Sequence, residues 1–225
     1  VGEMKANQME DYFGQINDQL LTLSEDPTII EAMKEFQTGF NSIATDLEMT
    51  EAKMIPVNAS LDAYFNKEYL VRLNKNLTTP ANLKDESTDN LNGRILQEIY
   101  IANNPNPVGS KFKMDDPGDG SQYSKTHKKY HPVIRNYLKK FGYYDVFLVD
   151  ETGNVVYTCF KEVDFGTSLL TGPFLATNLA KSFRAANLST DKNFVHLADF
   201  LPYHPSYNAP ASFIGHLLDL DVREP

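Results

Sequence analysis

The segment from residue 144 to residue 160 decides the fold, and it reads YDVFLVD (144–150), ETGN (151–154) and VVYTCF (155–160). Both outer runs are rich in β-branched and aromatic residues, which favour extended strands. The connection between them is short and contains Gly153, as is typical of antiparallel hairpins. The segment therefore predicts a β-hairpin that turns between Glu151 and Asn154.

Upstream of this hairpin, apolar residues recur at helical spacing. Two sets alternate steps of four and three: Met9, Phe13, Ile16, Leu20 and Leu23, and then Ile29, Met33, Phe36, Phe40, Ile43 and Leu47. Such spacing places each set along one face of a helix. Asp26 and Pro27 separate the sets, and this pair favours a helix start. We therefore predict two long helices between residues 9 and 47.

The remaining pattern predicts an α+β fold. Weaker helical patterns cover about 61–73, 91–102, 125–140 and 174–186, and strand patterns lie near 194–200 and 211–217. Residues 103–124 are rich in Asn, Asp, Pro and Gly, which favour turns. Helices followed by a small antiparallel sheet that carries a helix form an α+β arrangement. We divide the chain into a helical region, 1–102, and a sheet-containing region, 103–225.

The charge balance argues against a nucleic-acid partner. The chain has 30 acidic and 21 basic residues and a formal net charge of −9, which repels polyanions. One basic cluster recurs at helical spacing without the interleaved aromatic residues of a nucleic-acid binder, and it comprises Lys125, Lys128, Lys129, Arg135, Lys139 and Lys140. We interpret it as a solvated helix face.

The sequence contains no pattern that predicts catalysis or a cofactor. It has no phosphate-binding glycine loop, no nucleophile elbow and no pair of flanked catalytic carboxylates, so we expect no enzyme activity. Cys159 is the single cysteine and lies within a strand, so we expect a packed thiol. His127 and His131 share a helix face but lack a convincing third ligand. We expect them to be neutral and solvated, and we predict no metal site.

Several motifs bear on the family. They are IANNPNPVG (101–109), YHP (130–132) with Arg135, FGYYDVFLVD (141–150), FKEVDFG (160–166), DFLPY (199–203) and SYNAPASF (206–213). Together they resemble the sensor regions of a group of bacterial methyl-accepting chemotaxis proteins, which are similar to Cache domains. The resemblance implies long N-terminal helices followed by a PAS-like (Cache) antiparallel sheet with flanking helices. Such sensors continue after the position of Phe213 into another apolar strand. In this chain the segment that follows, residues 215–225, is short and charged. We therefore expect the last strand to be missing or replaced.

The resemblance also implies a function. It predicts the extracytoplasmic, ligand-sensing domain of a membrane-anchored chemoreceptor, on the periplasmic or extracellular side, that signals through its helices to a cytoplasmic output. The ligand would be a small molecule such as an amino acid, an organic acid or an amine. Receptors of this type are dimers, and the narrow apolar seam of the first helix suits an equivalent helix of a second protomer. The alternatives are a sensor domain of a histidine kinase or nucleotide cyclase, or a helical interaction domain without a ligand.

Seven side chains are candidates for ligand binding. Tyr130 and Arg135 partly match the spacing in amino-acid-binding double Cache sensors, where Arg holds a carboxylate through a bidentate fork. For Arg135 we favour a structural role, paired with a carboxylate such as Asp145. Strand alternation sends Tyr144 and Asp145 to opposite faces, so one of them can point into a pocket. The other candidates are expected on the inner face of a PAS-like sheet, and they are Tyr157, Asp199 and Tyr203. Ordinary core packing is the alternative for the tyrosines.

Overall fold

The first two helices lie where the apolar periodicity predicted them. The structure is a computed structural model that describes the backbone of residues 2–218 and the side chains of residues 11–218. Helix α1 spans Gly2–Glu25 and α2 spans Pro27–Asp46. At the start of α2, Asp26 Oδ1 accepts a 2.8 Å hydrogen bond from the Thr28 amide. The prediction of two long helices divided at Asp26 is therefore confirmed.

Six further helices follow in the described residues. They are α3 (Glu51–Tyr64), α4 (Leu70–Leu73), α5 (Leu83–Glu86), α6 (Leu91–Gln97), α7 (Gln122–Phe141) and α8 (Asn178–Leu188). Turns of π-helix at Phe65–Tyr69 and Glu98–Ala102 join α3 to α4 and prolong α6. The last helix starts four residues later than predicted, because the Thr177 side chain accepts a hydrogen bond from the Ala180 amide and caps it there.

Helices α2 and α7 cross closely and hold the main core between them. Gly39 permits the crossing, since a Cβ at this position would lie 2.7 Å from Cα of Tyr123 on α7. The Phe36 side chain is fully buried, and its ring centroid lies 4.6 Å from that of Tyr157. The packing of Phe36 therefore fixes the predicted hairpin against the helix pair.

The predicted hairpin is formed by β1 (Phe147–Val149) and β2 (Val155–Thr158), which pair antiparallel. The Asp150 side chain organises the turn, because its Oδ1 accepts hydrogen bonds from the amides of Thr152 (3.0 Å) and Asn154 (2.9 Å). An Asp that binds amides two and four residues ahead stabilises a turn locally. The predicted strand pair and turn are confirmed.

A second hairpin contains β3 (Val195–Tyr203) and β4 (Ala209–His216). Helix α8 packs across both strands, and one contact fixes it there. The Asn178 amide donates to the carbonyl of Asp199 on β3 (2.9 Å) and to that of Ala211 on β4 (2.6 Å). Both strands of this hairpin are thus hydrogen-bonded to the start of α8.

The described residues form an α+β fold, but their strands make two separate two-stranded sheets instead of one continuous sheet. Within these residues, β1 pairs with β2 and β4 pairs with β3, so one edge of β1 and one edge of β4 have no strand partner. Both strands border the same open space. Residues 219–225 of the predicted sheet region lie outside the described residues.

Candidate functional site

A cavity of about 570 Å³ lies between the two hairpins and the helices. Its walls are mostly apolar. Leu20 and Leu23 come from α1, Met33 from α2 and Phe183 from α8, while β1 and β4 supply the sheet walls. Pockets of roughly 300–1,000 Å³ suit small organic molecules. The volume and apolar lining therefore fit a small ligand with an apolar part.

One end of the cavity is polar, and hydrogen bonds fix its side chains. Tyr144 and Ser206 each donate a 2.7 Å hydrogen bond to the Glu162 carboxylate, one to each oxygen. Tyr203 donates a 2.7 Å hydrogen bond to Oδ2 of Asp164. Tyr144, Glu162, Tyr203 and Ser206 all border the cavity. The loop after β2 thus supplies the carboxylates, and β3 with its following turn supplies hydroxyl donors.

Asp145 lies at the same end of the cavity. One of its carboxylate oxygens accepts several hydrogen bonds, and the other accepts none from the described residues. Its Oδ1 accepts hydrogen bonds from the amides of Val146 (2.7 Å), Cys159 (2.8 Å) and Phe160 (3.0 Å). Its Oδ2 is buried and has no hydrogen-bond partner among the described residues, and the same is true of Oδ1 of Asp164. Because buried polar atoms are usually paired, the unpaired Oδ2 of Asp145, a residue of the cavity wall, is available to a hydrogen-bond donor.

The electrostatics of this end follow from burial and like charge. Burial and the Asp164 charge raise the pKa of Asp145 to about 7 and that of Glu162 to about 8. Burial raises the pKa of Asp164 to about 6. Nearby, burial lowers the pKa of Lys161 to about 7. The carboxyl groups therefore titrate near neutral pH, where a bound charge would shift their protonation.

Lys161 is buried behind the site and is held by its own surroundings. Its ammonium donates to the Thr158 carbonyl and lies 4.2 Å from the ring centroid of Tyr157 and 4.9 Å from that of Phe165. Its backbone φ is +65°, which is uncommon for a residue other than glycine. Lys161 does not border the 570 Å³ cavity.

Three of the seven candidate residues meet at the cavity, namely Tyr144, Asp145 and Tyr203. Arg135 lies elsewhere and binds Oδ1 of Asp115 (2.7 Å) and the Phe112 carbonyl (2.9 Å). It is therefore paired structurally, but with Asp115 and not with the expected Asp145. The reason is that the loop before α7 returns along this helix and brings its carboxylate to the guanidinium.

The other three candidates also lie away from the cavity lining. Tyr130 donates a 2.7 Å hydrogen bond to Glu35 across the α2–α7 contact. Tyr157 is fully buried in the core, and its hydroxyl lies 2.7 Å from Nδ1 of His131. Asp199 is exposed, and its carboxylate accepts from the next amide in the chain, that of Phe200.

The two histidines of α7 are buried and not solvated, which corrects the expectation from sequence. Both His127 and His131 are 0 % exposed, and their rings stack with centroids 4.2 Å apart. The Asp115 carbonyl lies 2.9 Å from Nδ1 of His127, and the Phe112 carbonyl lies 2.7 Å from Nε2 of His131, so the returning loop satisfies one nitrogen of each ring. Burial lowers the pKa of both, that of His131 to about 3, which keeps the rings neutral.

Cys159 is buried as expected, and burial raises the pKa of its thiol to about 11, which disfavours the reactive thiolate. Within residues 11–218, no three side chains of His, Cys, Asp or Glu are grouped as metal ligands.

Sequence reasoning assigned no role to Glu162, Asp164 or Ser206. A signal for the first two was present, because they lie within a few residues of the end of the fully buried strand β2, in FKEVDFG (160–166). Charged residues that follow a buried strand are placed beside the core by its end. Ser206 gave no such signal, since it lies in a turn rich in Pro and Tyr.

Comparisons of the chain with protein families, with curated proteins and with solved structures found no match. Among the helices described here, none has both the length and the apolar character that crossing a membrane requires.

Proposed function

We propose that this chain is the ligand-sensing, extracytoplasmic domain of a membrane-anchored bacterial chemoreceptor. The observation that carries the proposal is the 570 Å³ cavity, because α1 and both hairpins contribute to its walls. A molecule in this cavity would contact all three at once. The resemblance of the motifs to chemoreceptor sensor regions supplies the class of protein, and the cavity supplies the means of sensing.

Signal transmission would proceed through α1. Near its end, α1 is joined to the body by Leu23, which packs against the main core, and by Gln19, whose side chain accepts a 2.6 Å hydrogen bond from Tyr143. Further towards its start the described side chains are exposed, with Tyr12 at 59 % and Phe13 at 38 %. A ligand that prefers one pose of this lightly held helix would shift the population of poses.

The apolar face of α1 has two parts, one that lines the cavity and one that we propose to contact a second protomer. Leu20 and Leu23 face the cavity, whereas Phe13 remains exposed and Met9 lies outside the described side chains. We therefore place the proposed homodimer contact on the first half of α1. A small apolar contact of this kind buries few side chains, each worth about 1.5–3 kcal/mol before the cost of association, so we expect a weak dimer in isolation.

The proposal can be tested by ligand screening with the purified chain. Amino acids, organic acids and amines are added in thermal unfolding, where a ligand that binds the folded state raises the midpoint by mass action. A hit is then measured by calorimetry with Ala211→Trp, which fills the cavity, and with Ala52→Trp on the exposed surface of α3 as the matched control. We expect loss of binding in the first variant alone. Equal binding by both folded variants would show that the cavity is not the sensing site.

A further inference from the structure

The charged side chains of the cavity are all of one sign. Among the described residues that border it, the charged ones are Asp145, Glu151 and Glu162, and neither Lys nor Arg is present. His216 also borders it, with its Nδ1 bonded to the Phe194 carbonyl. An anionic head group would lose its hydration in this cavity without gaining a basic partner, which is unfavourable. A positive head group would be attracted.

The position for such a head group is marked by Oδ2 of Asp145. This oxygen is buried, belongs to a residue of the cavity wall and accepts no hydrogen bond from a described residue. Asp164, whose charge acts on Asp145, is fully buried, and its own Oδ1 also has no hydrogen-bond partner among the described residues. The charge of Asp164 raises the pKa of Asp145 and that of the buried Lys161 lowers it, so a cation in the cavity would further favour the ionised Asp145 carboxylate. An unpaired acceptor of this kind suits a ligand with a hydrogen-bond donor, and its negative charge when ionised favours a cationic one.

Aromatic rings also line the cavity. The Phe213 ring contacts those of Tyr203 and Phe147, with centroids 4.9 and 6.0 Å apart, and all three residues border the cavity. Rings attract a cation through their faces and also pack against apolar groups. The walls beyond them are Leu, Ile and Met side chains of the helices. A ligand with a positive head and an apolar tail matches both ends.

We infer that the cavity binds a protonated organic amine, with its ammonium on Asp145 and Glu162 and its apolar tail between β1, β4 and α1. This inference rests on the proposed function, since it takes this cavity as the sensing site. It narrows the expected ligand classes to one. Organic acids lack a basic partner there, and an amino acid would bring a carboxylate into the same acidic surroundings.

Three probes with similar apolar tails show how the charge of the head group affects binding affinity. Calorimetry compares 2-phenylethylamine, 2-phenylethanol and 3-phenylpropanoate, which are positive, neutral and negative at pH 7.5. We expect the amine to bind at least about tenfold more tightly than the alcohol, and the acid most weakly, as for a desolvated charge-assisted hydrogen bond.

Two conservative variants test the carboxylates that are proposed to bind the ammonium group. Asp145→Asn keeps an oxygen for the three amides that Oδ1 serves, and Glu162→Gln keeps an acceptor for Tyr144 or Ser206. We expect amine affinity to fall about tenfold or more in the first and at least about threefold in the second, with little change for the alcohol. Asp199→Asn is the matched control, because this carboxylate is exposed and outside the cavity.

The inference is overturned if the alcohol or the acid binds as tightly as the amine, or if a folded Asp145→Asn binds the amine unchanged. If Asp145→Asn does not fold, unchanged binding by Glu162→Gln overturns it instead. Binding of a probe of another charge would leave the sensing function intact. Binding of none of the three rejects the amine, and the wider screen with Ala211→Trp then decides the sensing function separately.

Discussion

The Tyr203 hydroxyl donates a 2.7 Å hydrogen bond to Oδ2 of Asp164, which joins the end of β3 to the loop after β2. Both residues are buried, with Tyr203 1 % and Asp164 0 % exposed. No described ladder joins β1 to β4, so side-chain contacts of this kind connect the two hairpins. The bond therefore stabilises both the fold and the polar end of the cavity.

Tyr203→Phe should lower the free energy of unfolding by about 1–3 kcal/mol at pH 7, because Asp164 then has a buried carboxylate with neither oxygen bound by another side chain. Urea unfolding followed by circular dichroism measures this loss. Tyr12→Phe, at a ring that is 59 % exposed, is the control and should change the free energy of unfolding little. Equal stabilities of the Tyr203→Phe and parent proteins would show that the bond does not contribute to stability.

Glu162 should make stability fall as the pH rises. Burial raises its pKa from 4.5 to about 8, so between these values the folded state keeps a proton that the unfolded state releases. Its contribution is full below about pH 4.5 and is lost as the pH rises through about 8. Glu162→Gln cannot ionise. The stability of this variant relative to the parent should therefore increase steadily from pH 5 to pH 8.5.

Urea unfolding of both proteins across this range measures the difference, in which the titrating groups that do not interact with Glu162 cancel. Glu151→Gln is the control, because Glu151 is exposed in the turn of the first hairpin. A difference between Glu162→Gln and the parent that stays constant with pH would contradict the raised pKa.

Amine binding should strengthen with pH. A cation favours ionised carboxylates, and the pKa of Asp145 is raised to about 7 and that of Glu162 to about 8. The other groups that act on Asp145 are Asp164, with its pKa near 6, and Lys161, whose positive charge is lost near pH 7. As the pH rises, Asp164 gains a negative charge and Lys161 loses its positive charge, and both changes favour a bound cation. We expect the dissociation constant of 2-phenylethylamine to decrease from pH 6 to pH 8.

Calorimetry in buffers with different ionisation enthalpies measures the protons released on binding. Near pH 7 we expect net release, because the amine is protonated throughout this range and the carboxyl groups lose protons. Binding that is independent of pH, with no proton release, would place the ammonium away from this cluster.

Self-association should depend on the exposed half of α1. Phe13→Asp places a charge where we propose a second copy of α1 to pack, so it should abolish any concentration-dependent association seen by sedimentation. Leu188→Asp on α8, at a side chain that is 83 % exposed, is the control for general hydrophobic adhesion. If Leu188→Asp abolishes association and Phe13→Asp does not, the dimer contact lies outside α1.

The sequence by itself determined the local elements. The apolar spacing on either side of Asp26 predicted α1 and α2, and the turn residues between Glu151 and Asn154 predicted the first hairpin. Cys159 was predicted to be packed because it lies within a strand. These features depend on side-chain periodicity, caps and turn chemistry, which act over a few residues and are visible in one sequence.

Only the tertiary structure decided which distant side chains meet. In the folded chain Arg135 pairs with Asp115. His127 and His131 are buried in the core, and Asp199 is exposed. The tertiary structure also brought Tyr203 to Asp164, which lies 39 residues earlier. Periodicity shows that a residue faces inward but not what it faces, because the partner depends on how the elements pack. The acidic end of the cavity arises from that packing, where a strand end, a loop and a turn converge.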